Sequence, residues 1–222
     1  SRTLALLFTL LALLPRTGLA QTSAPPAWDF SAAAGLFEHR PDPDGAPNYG
    51  DYWSATWRTG GTVGRYWTPN LKTEVELATT GESRRWSQRF AVVPGATGPI
   101  PYSVDEYFRI AQGSARIVWQ FFDNQWVHPY LLAGVAVNAE RKREAVQEQF
   151  HYLGDFRSPT TRVLVVPGQA KSPTTTFDAA LVFGGGTKLY LSPSVFANTT
   201  LLFTRSKPST SVSWVAGLGI DF

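Results

Sequence analysis

Read at every second position, the stretch from Ser209 to Phe222 separates into two rows. Val212, Trp214, Ala216, Leu218, Ile220 and Phe222 are all apolar, whereas Ser211, Ser213, Val215, Gly217, Gly219 and Asp221 are mostly small or polar. A period of two marks a β-strand with one greasy and one wet face. The alternation recurs upstream. Trp28, Phe30, Ala32, Ala34 and Leu36 oppose Asp29, Ser31 and Gly35, and Trp53, Ala55, Trp57, Val63 and Trp67 oppose Ser54, Thr56, Arg58, Thr62 and Gly64. Leu71, Thr73, Val75 and Leu77 alternate with Lys72, Glu74 and Glu76. Between about 107 and 122, Ala111, Ala115, Ile117, Trp119 and Phe121 alternate with Gln112, Ser114, Arg116 and Gln120. Val127, Leu131, Ala133, Val135 and Val137 then face away from His128, Tyr130, Gly134, Asn138 and Glu140. Phe177, Ala179, Leu181 and Phe183 alternate with Asp178, Ala180, Val182 and Gly184, and Val195, Ala197, Thr199, Leu201 and Phe203 with Asn198, Thr200 and Thr204.

The pattern therefore predicts eight strands, an even number. Turn formers at 68–70, 123–125 and 192–194 make short connections that alternate with longer ones at 40–50, 81–106 and 141–175. The last connection, near 206–208, is short as well. Within the second long connection, Arg84 to Val93 is a stretch that could extend the strands. Short turns at one end and long loops at the other are the layout of an antiparallel up-and-down barrel spanning a membrane. The aromatics agree: Trp28, Trp67, Trp119, Trp126 and Phe222 fall at the short-turn end, and Trp53, Trp57, Tyr107, Phe177 and Phe203 toward the other. Two such belts bracketing an apolar band are what interfacial anchoring requires.

Composition adds an export route. Leu4 to Leu14 is an apolar run behind Arg2, followed by Gly18 and Ala20 at a cleavage position. The run is too short to cross ~30 Å of hydrocarbon as a helix, so 1–20 reads as a signal peptide. The expected layout is that leader, a periplasmic segment at 21–27, and a barrel over 28–222. The 222 residues carry 20 Lys and Arg against 17 Asp and Glu; without Arg2 and Arg16 the balance falls from +3 to +1. The basic charge is then largely a leader effect and gives no reason to expect nucleic acid as a partner. The chain has no Cys, which excludes a disulfide scaffold and a thiolate metal site.

A soluble, lipocalin-like barrel would turn its apolar rows inward. Here the polar rows hold charges of both signs, namely Arg58, Lys72, Glu74, Glu76, Arg116, Glu140, Asp178 and Lys188, which could pair across a narrow lumen. The apolar rows hold almost none, in keeping with the few kcal/mol that a charge costs at mid-membrane. Arg109 is the exception and falls near the rim, within reach of headgroups.

With these rows, the His128-Pro-Tyr-Leu-Leu-Ala-Gly-Val-Ala stretch, the Gly184-Gly-Gly-Thr-Lys-Leu-Tyr-Leu-Ser-Pro-Ser194 strand and turn, and the final Leu218-Gly-Ile-Asp-Phe222, residues 27–222 resemble the small bacterial outer-membrane β-barrel family. That group includes the OmpA transmembrane domain and OmpX-like proteins. The resemblance implies an all-β, eight-stranded antiparallel barrel in a Gram-negative outer membrane, monomeric and without a cofactor. It also implies that the C-terminal strand, ending in an aromatic residue, is read by the barrel-insertion machinery. It is specific for architecture and leaves function open.

Three functional readings follow. An eight-stranded barrel has an interior just wide enough to be filled by side chains, so the lumen charges form either a salt-bridge plug or a narrow path for small hydrophilic solutes. A structural or surface-interaction role goes with the plug. A lipid A-modifying enzyme is the third reading, but it needs a Ser–His–carboxylate arrangement. His39, His128 and His151 are the only histidines, and Pro129 and Tyr130 follow His128 where a His-x-Ser pair would stand. His151, Asp155 and Ser158 are merely loop neighbours. Gly184 to Gly186 lacks the helix and Lys-Ser/Thr of a phosphate loop. Asp42-Pro-Asp-Gly45 reads as a turn rather than a calcium site, and Asn198-Thr-Thr200 as strand rather than a glycosylation sequon. Outer-membrane lipid and lipopolysaccharide are the expected partners, with Arg84, Arg85, Arg89, Arg141, Lys142 and Arg143 as candidate phosphate contacts.

Overall fold

Each period-two row becomes a strand, and the Pro-, Gly- and Asn-containing segments between rows end it. A computed structural model of the chain describes residues 27–41, 54–92, 98–121, 126–146, 148–153, 161–166, 168–207 and 209–222. The strands are β1 (Trp28–Pro41), β2 (Ser54–Thr68), β3 (Leu71–Thr80), β4 (Ser83–Ala91), β5 (Ile100–Gln120) and β6 (Val127–Val146). They continue with β7 (Gln149–Leu153), β8 (Thr161–Val166), β9 (Gln169–Ala170), β10 (Thr174–Tyr190), β11 (Val195–Ser206) and β12 (Ser209–Asp221). Eight of them form a closed antiparallel ring, β1-β2-β3-β5-β6-β10-β11-β12. Closure is made by β1 against β12, in register from Asp29↔Asp221 to Pro41↔Ser209. The amides of Ala27 and Trp28 donate to the Phe222 carbonyl, so the two ends of the sheet are tied together. Closing the ring leaves no unpaired edge, the condition for strands in hydrocarbon.

The other strands lie beyond one end of the ring. β4 continues the line of β3 along β5, β9 pairs with the far end of β6, and β7 and β8 form a separate hairpin. The expected long loops at 81–106 and 141–175 are thus largely strand, and β5 starts at Ile100 rather than near Tyr107. The physical reason is that both faces are wet above the bilayer. The hydrophobic alternation stops there, although backbone pairing does not.

Side-chain direction follows the rows. Leu36, Leu77, Ile117, Val137, Phe177, Leu181 and Leu218 point outward and are 57–74% exposed. Val127 keeps that parity but is buried at the first position of β6. An apolar exterior around a whole ring is a surface for lipid, not for water, which removes the soluble-barrel alternative. The interior is divided. Val118, Tyr130, Leu132, Ala136, Ala180, Val182 and Leu202 form an apolar cluster on β5, β6, β10 and β11. The charged residues crowd mainly against the opposite wall.

Candidate functional site

Inside the ring, Lys188 is the clearest case of a side chain with no way out to solvent. It projects from β10, is 2% exposed, and lies with its ammonium 3.7 Å from the centroid of Phe196. Its Nζ donates to Asp221 on β12 at 2.6 Å and to the Tyr66 hydroxyl on β2 at 2.8 Å. In the ring, β10 and β2 are diametrically opposite, so this contact crosses the lumen. Lys72 on β3 joins the same tier, 2.5 Å from both Asp29 and Glu74. Tyr190 donates to the second oxygen of Asp221. The backbone makes room for this tier: a Cβ at Gly64 would fall 2.1 Å from the Asp29 carboxylate.

A second tier lies nearer the outer end. Arg58 donates to Glu76 at 2.8 Å and to Gln112 at 2.7 Å. Gln112 donates to Asn138 at 2.8 Å, and Asn138 to Asp178 at 3.2 Å. That relay leaves β2 through Arg58, reaches β5 past β3, and then follows the wall through the register partners Gln112, Asn138 and Asp178 to β10. Arg116 links the tiers by donating to Glu76 at 2.9 Å and to Glu74 at 3.0 Å. A second crossing is looser: His39 Nε2 on β1 lies 3.9 Å from Glu140 on the opposed β6.

The eight charges expected on the lumen rows all face inward. Six of them, Arg58, Lys72, Glu74, Glu76, Arg116 and Lys188, join in direct ion pairs with one another or with Asp29 and Asp221. Asp178 is reached through the amide relay, and Glu140 stands apart beside His39. Sequence reading passed over Asp29, Asp221, Tyr66 and Tyr190. Their signal was the parity of Asp29 and Asp221 on otherwise small, polar rows at the two chain ends. A cavity of about 30 Å³ remains between the charged and apolar walls, lined in part by Ser31, Thr62, Glu74, Arg116 and Asn198. That is room for a water or two. Gly186 lets the Tyr130 ring lie there, since a Cβ at 186 would come within 2.7 Å of the Tyr130 hydroxyl.

His39 offers no hydrolase relay. Ser54 turns its hydroxyl to the His39 carbonyl at 3.4 Å rather than to the ring, and His39 Nδ1 is buried without a partner. The side chain of His151, together with Asp155, Ser158, Trp53 and the Asp42–Gly45 turn, lies outside the described residues.

Beyond the ring, the extension made by β4, β5 and β6 carries a second charge cluster. Glu106 and Glu144 are register partners, a repulsive pair unless cations intervene. Four do. Arg85 and Lys142 each lie 3.1 Å from Glu106, Arg89 bridges both carboxylates at 3.0 and 2.8 Å, and Lys171 reaches Glu144 at 2.9 Å. The hydrogen bonds from Arg89, with that from Lys171, hold the Glu144 carboxyl down at about 2 against desolvation. The same bond to Glu144 raises the Arg89 guanidinium above its ordinary value.

The candidate phosphate contacts therefore divide by face. Arg85, Arg89 and Lys142 continue the lumen-facing row and are engaged by carboxylates. Arg84, on the outward row, forks onto Asp105 at 2.9–3.1 Å. Arg143, also outward, lies over Tyr107 at 4.8 Å and is 3.6 Å from Glu82. Arg141 faces outward directly opposite Arg109, and neither makes an ion pair among the described residues. The belt residues Trp28, Trp57, Trp67, Trp119, Trp126 and Phe222 all face out and are at least 40% exposed. Arg65 lies over Trp28 and Trp67, 5.4 and 4.6 Å from their centroids.

No family model matches the sequence, and no curated protein matches it either. Solved structures do resemble the fold. The attachment invasion locus protein Ail of Yersinia pestis is 12% identical, with a TM-score of 0.47 over 88% of this chain and 99% of its own. The outer membrane protein OprG from Pseudomonas aeruginosa is 13% identical, with a TM-score of 0.49 over 89% and 97%. The outer membrane protease OmpT from Escherichia coli is 9% identical, with a TM-score of 0.47 over 91% and 99%. Small outer-membrane barrels, expected from the sequence, are thus what this chain is similar to in fold.

Proposed function

We propose that the protein is an outer-membrane barrel with a closed lumen that serves a structural or surface-interaction role rather than conducting or catalysing. The observation that carries this reading is the set of side-chain crossings between diametrically opposed strands. Tyr66–Lys188 spans the ring directly, His39 and Glu140 face each other across it at 3.9 Å, the Arg58–Gln112 bond ties β2 to β5, and a cavity of about 30 Å³ lies beside them. A solute path would need those partners to separate together, and separating buried charges from their partners is costly.

Support for a surface role comes from the outer end. There the sheet rises beyond the ring and presents outward cations, Arg109 and Arg141 among them, to headgroup phosphates. Lipopolysaccharide is the anionic partner of that leaflet. At the other end, Phe222, next after β12, faces outward and is 65% exposed, in a position for the insertion machinery to read. On this reading the protein is a monomer, since the ring closes on itself and shares no strand edge within the membrane.

The test is refolding into detergent, followed by planar-bilayer recording. A compact, boil-sensitive gel band with no discrete current steps is the expected result. Steady single-channel openings would replace this reading with the narrow pore for hydrophilic solutes. Release of acyl chains from lipid A by the refolded protein would replace it with the enzyme.

A further inference from the structure

We infer that the outer wall of the barrel carries a seat for one phosphorylated, acylated glycolipid of the lipid A type. An acyl chain lies in an oblique groove there, and the phosphates meet two cation pairs. This deepens the surface-interaction reading above and rests on its placement of the long-strand end at the outer leaflet.

The groove is defined by register. Val75 on β3 pairs with Ala115 on β5, Ala115 with Val135 on β6, Val135 with Leu181 on β10, and Leu181 with Arg205 on β11. All five face outward. One row nearer the rim, Gly113 pairs with Val137 and Val137 with Ala179, and the Ala180↔Ser206 pair sets Lys207 beside Ala179. Small residues (Gly113, Ala115, Ala179) floor a concavity of about 640 Å³, and Arg205 and Lys207 line one end of it. Four inter-strand spacings of about 4.8 Å make it ~19 Å long. Because barrel strands tilt, a row crossing them runs obliquely through the membrane rather than level with it. An extended hydrocarbon chain fits such a channel.

At Gly113 the chain's own packing does not require the side chain to be missing. A Cβ at Gly113 would meet only Leu77 Cδ2, at an ordinary 3.6 Å. The space left is open to the lipid side. Its ending in two cations, one of them steadied by a hydrogen bond from Arg205 to Thr210, selects a chain attached to an anionic head. Arg109 and Arg141, side by side on the same outward face, supply a second site for negative charge. Like charges directly opposed repel, and an anion between them removes that repulsion. One lipid with two phosphates satisfies both pairs; a lipid with one phosphate satisfies one.

The full chain, refolded in zwitterionic detergent, would be titrated with bisphosphoryl lipid A, monophosphoryl lipid A and phosphatidylglycerol, reading tryptophan fluorescence. Bisphosphoryl lipid A is expected to bind tightest, with the monophosphoryl form about tenfold weaker, a difference worth one ion-paired phosphate. The Arg205→Ser/Lys207→Ser variant should lose about tenfold in affinity and most of that discrimination. The Ala115→Leu/Ala179→Leu variant, which fills the groove from the lipid side, should weaken binding of every acylated ligand while keeping the compact gel band. Unchanged affinity in either variant would overturn the seat. Equal binding of phosphatidylglycerol would reduce it to a generic anionic surface. Disulfide cross-linking between copies through Ala179→Cys would make the groove a protein contact instead. Failure of the closed-barrel reading shows separately, as current steps or loss of the compact band in the unmodified protein.

Discussion

The lumen and the rim extension use the same chemistry under different dielectric conditions. In the lumen, Lys188 and Asp221 are both 2% exposed and 2.6 Å apart. In the extension, Lys171 and Glu144 are 2.9 Å apart, but the lysine is 56% exposed. Distances alone would rank the two pairs as near equals. Burial separates them: Lys188 or Asp221 without its partner has no water to turn to, while Lys171 has. The lumen pairs therefore hold the two sides of the ring in one arrangement, whereas the rim pairs mainly keep Glu106 and Glu144 from repelling.

The largest effect expected from this difference is that of Lys188→Ala. It leaves Asp29 and Asp221 without a shared cation and should destabilise the folded barrel by about 3–5 kcal/mol in urea titrations. Combined with Arg58→Ala, it removes the direct Tyr66–Lys188 crossing and the contact that ties β2 to β5. Discrete current steps should then appear in planar bilayers, where the unmodified protein shows none. A silent double variant would mean that the apolar cluster around Val118, Leu132 and Leu202 closes the lumen by itself.

A smaller effect tests the shape of the lumen rather than its charge. Gly186→Val drives a side chain toward the Thr199 carbonyl and the Tyr130 hydroxyl, 2.0 and 2.7 Å from the added Cβ. Overpacking of this kind should cost about 1–3 kcal/mol by the same titration. A neutral result would show that the Tyr130–Thr200 hydrogen bond, 2.6 Å long, breaks without consequence.

How much of this was readable beforehand differs between the regions for a physical reason. A bilayer on one side and a narrow lumen on the other impose strict alternation. Residue parity therefore placed Leu77, Val137 and Leu181 outside, and Lys72, Arg116 and Lys188 inside. Partner choice was not legible. Lys72 meets Asp29 across 43 positions of sequence, and Lys188 meets Asp221 across 33. Those meetings depend on the stagger of the closed ring, which no local pattern encodes. Above the membrane the alternation itself fades. Arg84 and Arg85 both find carboxylates, on opposite faces of β4, so charge no longer tells inside from outside. That is why the sequence assigns the outer part of β5 to a long connection and marks Arg84 to Val93, where β4 lies, only as a stretch that could extend the strands.

At the rim, acid provides a finer probe. Glu144 is held at about 2 when folded, against an ordinary value of 4.5. A depressed carboxyl stabilises the fold fully above its unfolded value, and that contribution falls away as pH drops from about 4.5 through 2. Because the bridging cations are a third to just over half exposed, solvent screening should keep the loss under about 1 kcal/mol. Glu144→Gln should flatten that part of the pH–stability curve and leave the rest unchanged. An unaltered slope would place the acid-sensitive group elsewhere.

Salt gives the smallest effect and the most direct contrast. At 1 M the Debye length shrinks to about 3 Å, so exposed pairs are screened while buried ones are affected little. The Glu144→Gln variant and the unmodified protein should therefore converge in stability at high salt. The deficit of Lys188→Ala should persist, because Asp29 and Asp221 remain out of reach of mobile ions. If the Lys188 deficit also shrank with salt, ions and water would have to enter the lumen. The tiers would then be a gate in equilibrium with an open state rather than a fixed closure.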